Sequence, residues 1–530
     1  MREFEVFDST LRDGAQSEGI SFSVRDKLNI VRALDAFGVH YIEAGNPGSN
    51  PKDIEFFERM REVTLQKAKL CAFGATRRKG IRVEDDTNVQ SLLKAETPAV
   101  AIFGKSWLLH VREILQATDE ENLELVYDTV KFFKDRGREV VFDAEHFFDG
   151  YFDDAAYALR VLEAATHGGA DVLALCDTNG GTLPSDISSS VGHVVSRFPN
   201  TRVGIHCHDD AGCAVANTLV AVEEGARHVQ GTFIGYGERC GNADLSIVIP
   251  DLVLKRGFRA PGANLTMLTG TATRIAEISN VTIRGSKPFT GASAFAHKGG
   301  MHVDGVLKLP RSFEHVEPET VGNARRFLAS EVSGRSTVLE KVRAYAPDLK
   351  KNSPEIQLII DTLKEMEHKG YQYEAADASF ELLVRRILHR YAPHFTLVLY
   401  RTTGESPAAD GEMPCSAMIK VNVDGRDETT AAMGNGPVNA LDLALRKALT
   451  VFYPQLGEMK LTDYKVRVLE ADSATAARVR VLIESTDGTD IWTTVGVSTD
   501  IIEASWRALV DSIEYKLTRD EEGRKSACQA

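Results

Sequence analysis

The sequence lacks any apolar run long enough to cross a membrane. Its longest uncharged apolar stretch, AGCAVANTLVAV, falls well short of the roughly 20 residues that a spanning helix needs. The chain also opens without a basic segment followed by an apolar core, so no secretory signal is indicated. We therefore expect a protein without a membrane segment that works in the cytoplasm.

Cysteine is scarce, and acidic residues outnumber basic ones by 76 to 62. The chain has seven cysteines in 530 residues, and no two of them form a CxxC pair. An odd, scattered set fits free thiols in a reducing compartment better than disulfides or a thiolate zinc site. The formal net charge of -14 at pH 7 argues against a nucleic-acid partner, because a phosphate backbone repels an acidic protein.

The first half of the chain repeats one pattern, a short β-branched apolar run followed by an amphipathic helical stretch. Eight such units in about 250 residues predict an α/β fold of the TIM (β/α)8 barrel type, which we place at residues 1–258. The strands are predicted near residues 4–8, 41–45, 70–74, 100–104, 139–144, 171–177, 202–207 and 228–235.

Two further regions follow the predicted barrel. Residues 259–394 are mostly helical in pattern, with glycine-rich connections, and are predicted to form a linker or lid region. Residues 395–530 contain two similar parts, and each gives a strand, a turn with Asp-Gly, a second strand and an amphipathic helix. We expect a duplicated α+β domain that serves as a sensor or dimer module, with a plain structural appendage as the alternative.

Polar side chains collect where the predicted barrel strands end. Active sites of such barrels form at the carboxyl ends of the strands, so this is where functional groups are expected. A purely structural chain has little reason to gather like charges at one rim. The polar residues at these ends are Arg12, Asp13, Glu43, Glu145, Thr178, His206 and His208.

Two of these residues have the spacing of metal ligands. His206 and His208 are separated by one residue at a strand end, so both point to the same face and can share one ion. With Asp13 they form a nitrogen and oxygen set that suits Mn²⁺, Mg²⁺, Fe²⁺ or Zn²⁺ as a Lewis acid, although no thiolate favours zinc. Two histidines that simply hydrogen-bond to their neighbours remain the alternative.

The other polar residues at the rim each have a catalytic and a structural interpretation. Arg12 could supply a fork of donors to an oxygen that becomes negative, or form a salt bridge to Glu43 or Glu145. Thr178 could hold a substrate carboxylate or cap the following helix. Glu145 is a candidate base or a partner of Arg12, and His302, in a glycine-rich loop outside the barrel, could accept a proton near neutral pH.

Five stretches resemble the signature segments of the 2-isopropylmalate synthase and homocitrate synthase group: STLRDGAQSEG, HCHDDAGCAVANT, GYGERCGNADL, SAFAHKGGMHVDGV and AMGNGPVNALDLAL. Four others resemble the citramalate synthases within that group: GNPGSNPKD, AFGATRRKG, FGKSW and FDAEHFFDGY. The resemblance covers nearly the whole chain. It implies a Claisen condensation of acetyl-CoA with pyruvate, followed by thioester hydrolysis to citramalate for isoleucine synthesis.

The resemblance also implies roles for individual residues. It implies that the site binds a divalent ion, with Mn²⁺ as the first choice and Mg²⁺, Co²⁺ or Zn²⁺ as the alternatives. Removal of the acetyl methyl proton is assigned to Glu145 and His302, the latter reaching in from a partner subunit. The implied metal set is Asp13, His206 and His208 with Asn242 nearby, and the implied substrate-binding set is Arg12, Glu43 and Thr178.

The duplicated terminal domain is similar to the group's allosteric module, which implies a homodimer and isoleucine as the effector. The sequence departs from the group at two positions. Phe313 stands where similar enzymes usually have a tyrosine, and Asn46 stands where a tryptophan is common. Both changes bear on rate and substrate detail.

Three other functions compete with this interpretation. The nearest is a 2-isopropylmalate synthase, which performs the same chemistry on a larger keto acid. A related lyase would run the carbon–carbon bond in reverse, but the long duplicated terminal domain argues for a regulated synthase. A non-catalytic sensor would be expected to have lost Asp13, His206 or His208, and all three are present.

Overall fold

The computed structural model describes residues 2–48, 51–328, 335–343, 345–404, 415–469 and 477–529. The chain divides into two compact units. The first comprises Met1–Phe295 and His315–Arg325, and the second comprises Ala296–Glu314 and Arg326–Ala530. Residues 259–394, predicted as a linker region, are therefore shared between the two units.

The first unit is a closed barrel of eight parallel strands, and the last strand pairs with the first. The predicted TIM barrel is confirmed. The strands are β1 Glu5–Asp8, β2 Tyr41–Glu43, β3 Lys69–Ala75, β4 Ala99–Lys105, β5 Glu139–Glu145, β6 Val172–Asp177, β7 Arg202–Cys207 and β8 His228–Gly231. The helices are α1 Val24–Phe37, α2 Pro51–Met60, α3 Thr87–Lys94, α4 Asp119–Lys134, α5 Phe147–Asp153, α6 Ala155–Gly168, α7 Pro184–Arg197, α8 Ala214–Glu224, α9 Leu245–Pro250 and α10 Leu268–Ile278.

Local sequence signals define the ends of these helices. Helix α1 begins with a capping box, in which the Ser23 hydroxyl accepts from the Asp26 amide and the Asp26 carboxylate accepts from the Ser23 amide. It ends at Gly38, whose φ of 103° lies in the left-handed region that glycine adopts without strain. Helix α4 begins with the same box, formed by Thr118 and Glu121.

The alternation of side chains along the strands sorts the barrel into an outer and an inner core. Cys207 belongs to the outer core, as expected from its place between two inward histidines. The inner core is narrow and holds small and aromatic side chains, and above it the inward positions become polar toward the carboxyl ends. The inner core residues are Phe7, Tyr41, Cys71, Ala99, Ala101, Val141, Val172 and Ala174.

The predicted eighth strand extends four residues too far. β8 ends at Gly231, and Phe233–Gly235 form a single tight turn. Ile234 has a φ of 60° and Gly235 a φ of 80°, so the backbone turns where a strand would continue. This turn directs the chain back across the barrel mouth toward Asn242.

The second unit begins with a small region of helices and a two-stranded sheet. Its strands are β9 Ala296–His297 and β10 Arg326–Phe327, which run parallel. Its helices are α11 Gly300–Lys308, α12 Arg335–Val342, α13 Pro354–His368 and α14 Asp377–Ile387.

Two copies of one motif complete the second unit, so the predicted duplication is confirmed. Each copy is a three-stranded antiparallel sheet followed by a helix, which is one strand more than the sequence predicted. The Asp424-Gly425 turn has φ angles of 49° and 82°, as a tight hairpin requires. The elements are β11 Thr396–Gly404, β12 Cys415–Val423, β13 Arg426–Gly434 and α15 Pro437–Leu449, then β14 Lys460–Val468, β15 Val479–Thr486, β16 Ile491–Ser498 and α16 Ile501–Gln529.

The described residues also bear on the expectations about membrane helices and thiols. No helix among them is long and apolar enough to cross a membrane. The cysteines with described side chains are all free thiols, namely Cys71, Cys176, Cys207, Cys213, Cys240 and Cys415.

Candidate active site

A cavity of about 210 Å³ opens at the carboxyl ends of the barrel strands. Six of the predicted rim residues line it, together with two aromatic side chains and four residues that the sequence analysis did not single out as site residues. The lining includes Arg12, Asp13, Phe73, Phe103, Asp143, Glu145, Thr178, His206, His208 and Glu238.

Asp13, His206 and His208 meet at one side of this cavity. Asp13 Oδ2 lies 3.6 Å from His206 Nε2 and 3.8 Å from His208 Nε2, and the two imidazole nitrogens are 3.2 Å apart. One ligand atom from each residue lies within 4.8 Å of the others, and all three side chains are buried. β1 and β7 thus bring residues almost 200 positions apart in sequence to one point.

The electrostatic surroundings keep these three groups in the protonation states that a metal ion requires. Burial, with the neighbouring His208 ring, lowers the pKa of His206 to about 3, so its imidazole is neutral. Burial would raise the pKa of Asp13, but the Arg12 guanidinium, the two neighbouring histidines and the Glu238 amide together outweigh burial and lower that pKa to about 2. At neutral pH the cluster therefore presents a carboxylate and neutral imidazoles.

Asn242 completes the cluster. Its backbone pairs with that of His208, and its Nδ2 lies 3.2 Å from His206 Nε2. Its Oδ1 is buried and has no hydrogen-bond partner among the residues that the structure describes. Gly237 makes room for this amide, since a Cβ at that position would stand 1.8 Å from Asn242 Oδ1.

These residues fit a divalent cation. Two imidazole nitrogens, a carboxylate and an unpaired amide oxygen converge in a buried space, and this mixed donor set suits Mn²⁺, Co²⁺ or Zn²⁺. The two Nε2 atoms lie 3.2 Å apart, so one cation can accept a lone pair from each of them. The alternative of two histidines that bind nothing leaves the Asn242 oxygen unexplained.

Arg12 spans the metal cluster and the aromatic wall of the cavity. Its Nε donates to Glu43 Oε2 at 2.7 Å, its Nη1 donates to Asp13 Oδ2 at 2.9 Å, and its guanidinium lies 3.9 Å above the Phe73 ring. Of the two salt bridges considered for Arg12, the one to Glu43 is present, whereas Glu145 pairs with Lys105. Glu43 also accepts a hydrogen bond from the Ser9 hydroxyl, and this contact holds in place the carboxylate that binds the guanidinium.

Thr178 also lines the cavity, and it does not cap the next helix. Helix α7 begins at Pro184 with Leu183 as its N-cap, so that structural interpretation of Thr178 is wrong. Thr178 Oγ1 accepts from the His146 amide at 2.8 Å, which leaves the hydroxyl hydrogen available to donate into the cavity. His146 has a φ of 55°, a left-handed conformation that places its amide toward Thr178.

The sequence analysis missed several polar residues of the site, among them Asp143 and Gln230. Asp143 lines the cavity from β5, and burial with the nearby Glu43 charge raises its pKa to about 7. Gln230, on β8, is fully buried and contacts both Asp143 and His206. Both residues occupy inward positions of their strands, so counting every second residue back from Glu145 and along β8 would have found them.

His302 belongs to the second unit. It lies on α11, and its ring stacks on Phe313 with 4.5 Å between ring centroids and 29° between the planes. Phe313 is 45% exposed and packs close to Gly305, where a Cβ would be 2.4 Å from the phenyl ring. The phenylalanine that replaces a tyrosine therefore supports the imidazole by stacking and offers no hydroxyl.

Family comparisons agree with this arrangement of barrel, site and terminal domain. The family described as "HMGL-like" matches residues 3–275, and the "Homocitrate synthase post-HMGL domain-like" family matches residues 289–371. The "LeuA allosteric (dimerisation) domain" matches residues 374–517. The chain belongs to the HMGL-like family of barrel enzymes.

Relatives that match over their full length identify a subgroup within the HMGL-like family. The chain is 51% identical to the (R)-citramalate synthase of Aquifex aeolicus and 48% identical to that of Geobacter sulfurreducens, with 98% of each chain covered in both comparisons. It is 31% identical to a probable 2-isopropylmalate synthase of Methanopyrus kandleri, over 96% of this chain and 97% of that protein. Within the family, the chain groups with the (R)-citramalate synthases, which are acyltransferases.

Proposed function

We propose that the protein is an (R)-citramalate synthase, which condenses acetyl-CoA with pyruvate and hydrolyses the thioester to release (R)-citramalate and CoA. The observation that carries the proposal is the cluster of Asp13, His206 and His208 beside Arg12 at the barrel mouth. The full-length identity to curated (R)-citramalate synthases, well above that to 2-isopropylmalate synthases, supports the choice of substrate.

The side chains divide the work of holding the keto acid. A divalent cation, Mn²⁺ in our proposal, would be held by Asp13, His206 and His208 with Asn242 beside them, and would act there as a Lewis acid on the keto group. The Arg12 fork, fixed by Glu43, donates to the keto oxygen as it becomes negative. The Thr178 hydroxyl binds the pyruvate carboxylate.

The condensation needs a base for the acetyl methyl group. We assign this role to the Glu145 carboxylate, with His302 completing the proton transfer. The methyl carbon loses a proton and bonds to the keto carbon of pyruvate, and the keto oxygen takes up a proton to become the hydroxyl of citramalate. Water then cleaves the thioester, and CoA leaves as the free thiol.

The wall of the cavity favours a small keto acid. Phe73 and Phe103 stack with 5.1 Å between ring centroids and 18° between their planes, and both line the cavity. We propose that this aromatic pair limits the room for a branched alkyl group. Each methylene is worth about 1 to 3 kcal/mol in such a pocket, which is enough to separate pyruvate from 2-oxoisovalerate.

A thiol-release assay tests the proposal. The wild-type protein, supplied with acetyl-CoA and Mn²⁺, is expected to release CoA with pyruvate and much less with 2-oxoisovalerate. His208→Ala, which removes one metal ligand, is expected to lose more than about 100-fold in turnover. A clear preference for 2-oxoisovalerate would make the protein a 2-isopropylmalate synthase, and full activity of His208→Ala would contradict the metal site.

We further propose that isoleucine regulates the enzyme through the duplicated terminal domain, in a homodimer. The match to an allosteric and dimerisation domain over residues 374–517 supports both statements. Isoleucine and leucine are to be titrated into the pyruvate assay. Inhibition by isoleucine alone is expected, and indifference to both amino acids would leave the domain as a scaffold.

A further inference from the structure

Gln230 links the metal cluster to the barrel interior. Its side chain is fully buried and points inward from β8. Its Oε1 lies 2.9 Å from His206 Nδ1, and its Nε2 lies 2.9 Å from Asp143 Oδ1 and 3.5 Å from His228 Nε2. The roles proposed above for Arg12, Thr178 and Glu145 do not involve this amide.

The neighbours of Gln230 determine which way its amide faces. Its Nε2 donates to Asp143 Oδ1, and an amide nitrogen can only donate, so the amide oxygen is left for the other side. Oε1 then faces His206 Nδ1 and accepts a hydrogen from it. A neutral imidazole carries one hydrogen, so His206 Nε2 presents its lone pair to Asp13 and His208.

Asn242 approaches the other side of the ring. Its side-chain amide lies 3.2 Å from His206 Nε2, the nitrogen that faces the cluster. The contact with Gln230 on the Nδ1 side therefore assigns the tautomer. The opposite tautomer would direct an N–H group into the cluster, where it could not bind a cation.

We propose that Gln230 is a positioning residue, which holds the His206 ring in the tautomer and orientation that a divalent cation requires. The inference rests on the metal site of the proposed function. Asp143 in turn orients Gln230, so three inward residues on β5, β8 and β7 form one hydrogen-bonded chain from the barrel interior to the cluster. Partners of this kind typically change metal affinity by about 10-fold to 100-fold.

A titration with Mn²⁺ tests the proposal without any assay of turnover. The full chain is freed of metal with a chelator and titrated by calorimetry and by electron paramagnetic resonance. Gln230→Met keeps the length of the side chain and removes both hydrogen bonds, and it is expected to bind Mn²⁺ about 10-fold to 100-fold more weakly.

Asn217→Leu is the matched control. Asn217 is a buried amide on α8 that donates to the Thr182 carbonyl at 2.7 Å, so its loss disturbs packing to a similar degree outside the cluster. This variant is expected to bind Mn²⁺ like the wild type. Equal binding by Gln230→Met and the wild type, or equal weakening in both variants, would overturn the proposal.

A second measurement does not depend on how well Gln230→Met folds. Long-range proton–nitrogen correlation spectra of ¹⁵N-histidine protein distinguish the two tautomers, and His206→Gln identifies the signal. His206 is expected to carry its hydrogen on Nδ1 in the wild type, and a hydrogen on Nε2 would overturn the inference. Absence of Mn²⁺ binding by the wild type would overturn the metal site itself, whereas wild-type binding with an unaffected Gln230→Met would overturn the Gln230 proposal alone.

Discussion

Arg12 shows how one side chain is held in place by buried carboxylates. It is paired with Asp13 and with Glu43, both nearly inaccessible, and its hydrocarbon and guanidinium surfaces rest on Phe73. Charge alone does not explain the choice of arginine, because a lysine would also neutralise a carboxylate. The planar fork can bond to Glu43, to Asp13 and to a substrate oxygen in fixed directions.

Arg12→Lys is therefore expected to preserve the fold and lower turnover. It keeps a positive charge beside Glu43, but it loses the directed donor toward the keto oxygen, so kcat with pyruvate should fall by about 100-fold to 1000-fold. Arg77→Lys is the control, because Arg77 makes a comparable two-point contact with Asp128 at 2.9 and 2.7 Å. A similar loss of kcat in both variants would show that the effect follows from replacing any paired arginine, and not from the Arg12 donor at the keto oxygen.

His394, in the second unit, carries a pH-dependent contribution to stability. Burial lowers its pKa, but the hydrogen bond to Glu514 at 2.7 Å and the contact with Glu521 at 3.2 Å outweigh burial and raise the pKa above the usual 6.5. The folded state thus holds the proton more tightly than the unfolded chain. This stabilisation is complete below pH 6.5 and is lost as pH rises through the folded-state pKa.

The expected result is a loss of stability of the second unit with rising pH in the wild type. Urea unfolding followed between about pH 5.5 and pH 8.5 should show a falling midpoint, and His394→Gln should flatten that fall because the group no longer titrates. Parallel pH curves for the two proteins would refute the assignment to His394.

At the scale of elements, the turn after β8 positions residues of the site, as the strands do. The tight turn at Phe233–Gly235 ends β8, and the chain then passes over the cluster with Gly237 against Asn242 and Asp13. A strand that continued through residue 235, as the sequence predicted, would carry Asn242 away from His208. The end of β8 at this point therefore helps to place the Asn242 side-chain amide at the cluster.

Gly237→Ala tests the importance of this close approach. The added Cβ would stand 1.8 Å from Asn242 Oδ1 and 3.1 Å from Asp13 Oδ1, so both groups must move. We expect Mn²⁺ affinity, measured by calorimetry, to fall by about 10-fold to 100-fold while circular dichroism stays unchanged. Gly181→Ala, where a Cβ meets nothing within 4 Å, should bind Mn²⁺ normally. Unchanged binding by Gly237→Ala would contradict the role given to the turn.

At the scale of the whole molecule, the chain joins a barrel that carries the chemistry to a duplicated domain of a dimerising family. The two copies in that domain share one topology, and their sheets are followed by α15 and α16. The metal cluster, in contrast, is assembled within the first unit alone.

We expect the protein to be a homodimer in solution. Sedimentation equilibrium at micromolar concentration should give a mass about twice the 58.1 kDa of one chain. Isoleucine, if it binds the terminal domain, should leave this mass unchanged while it inhibits turnover. A monomeric mass under conditions of full activity would refute the homodimer.

Sequence patterns alone predicted the eight-stranded barrel, the duplication and half of the residues that line the cavity. Strand alternation, helix caps and the His206-Cys207-His208 spacing are local patterns, and the backbone period fixes which face each side chain takes. The barrel rule then places strand ends together, so Asp13 could be predicted to lie with the two histidines.

Only the tertiary structure decided which inward residues touch. Asp143, Gln230 and His206 lie on different strands, and no local period indicates that a Gln amide bridges a carboxylate and an imidazole. Three other features also come from the tertiary structure. They are the left-handed backbone of His146, the turn that ends β8 and the stacking of His302 on Phe313. Such contacts depend on the register between strands and on packing between distant segments, which are properties of the closed barrel and the folded units as wholes.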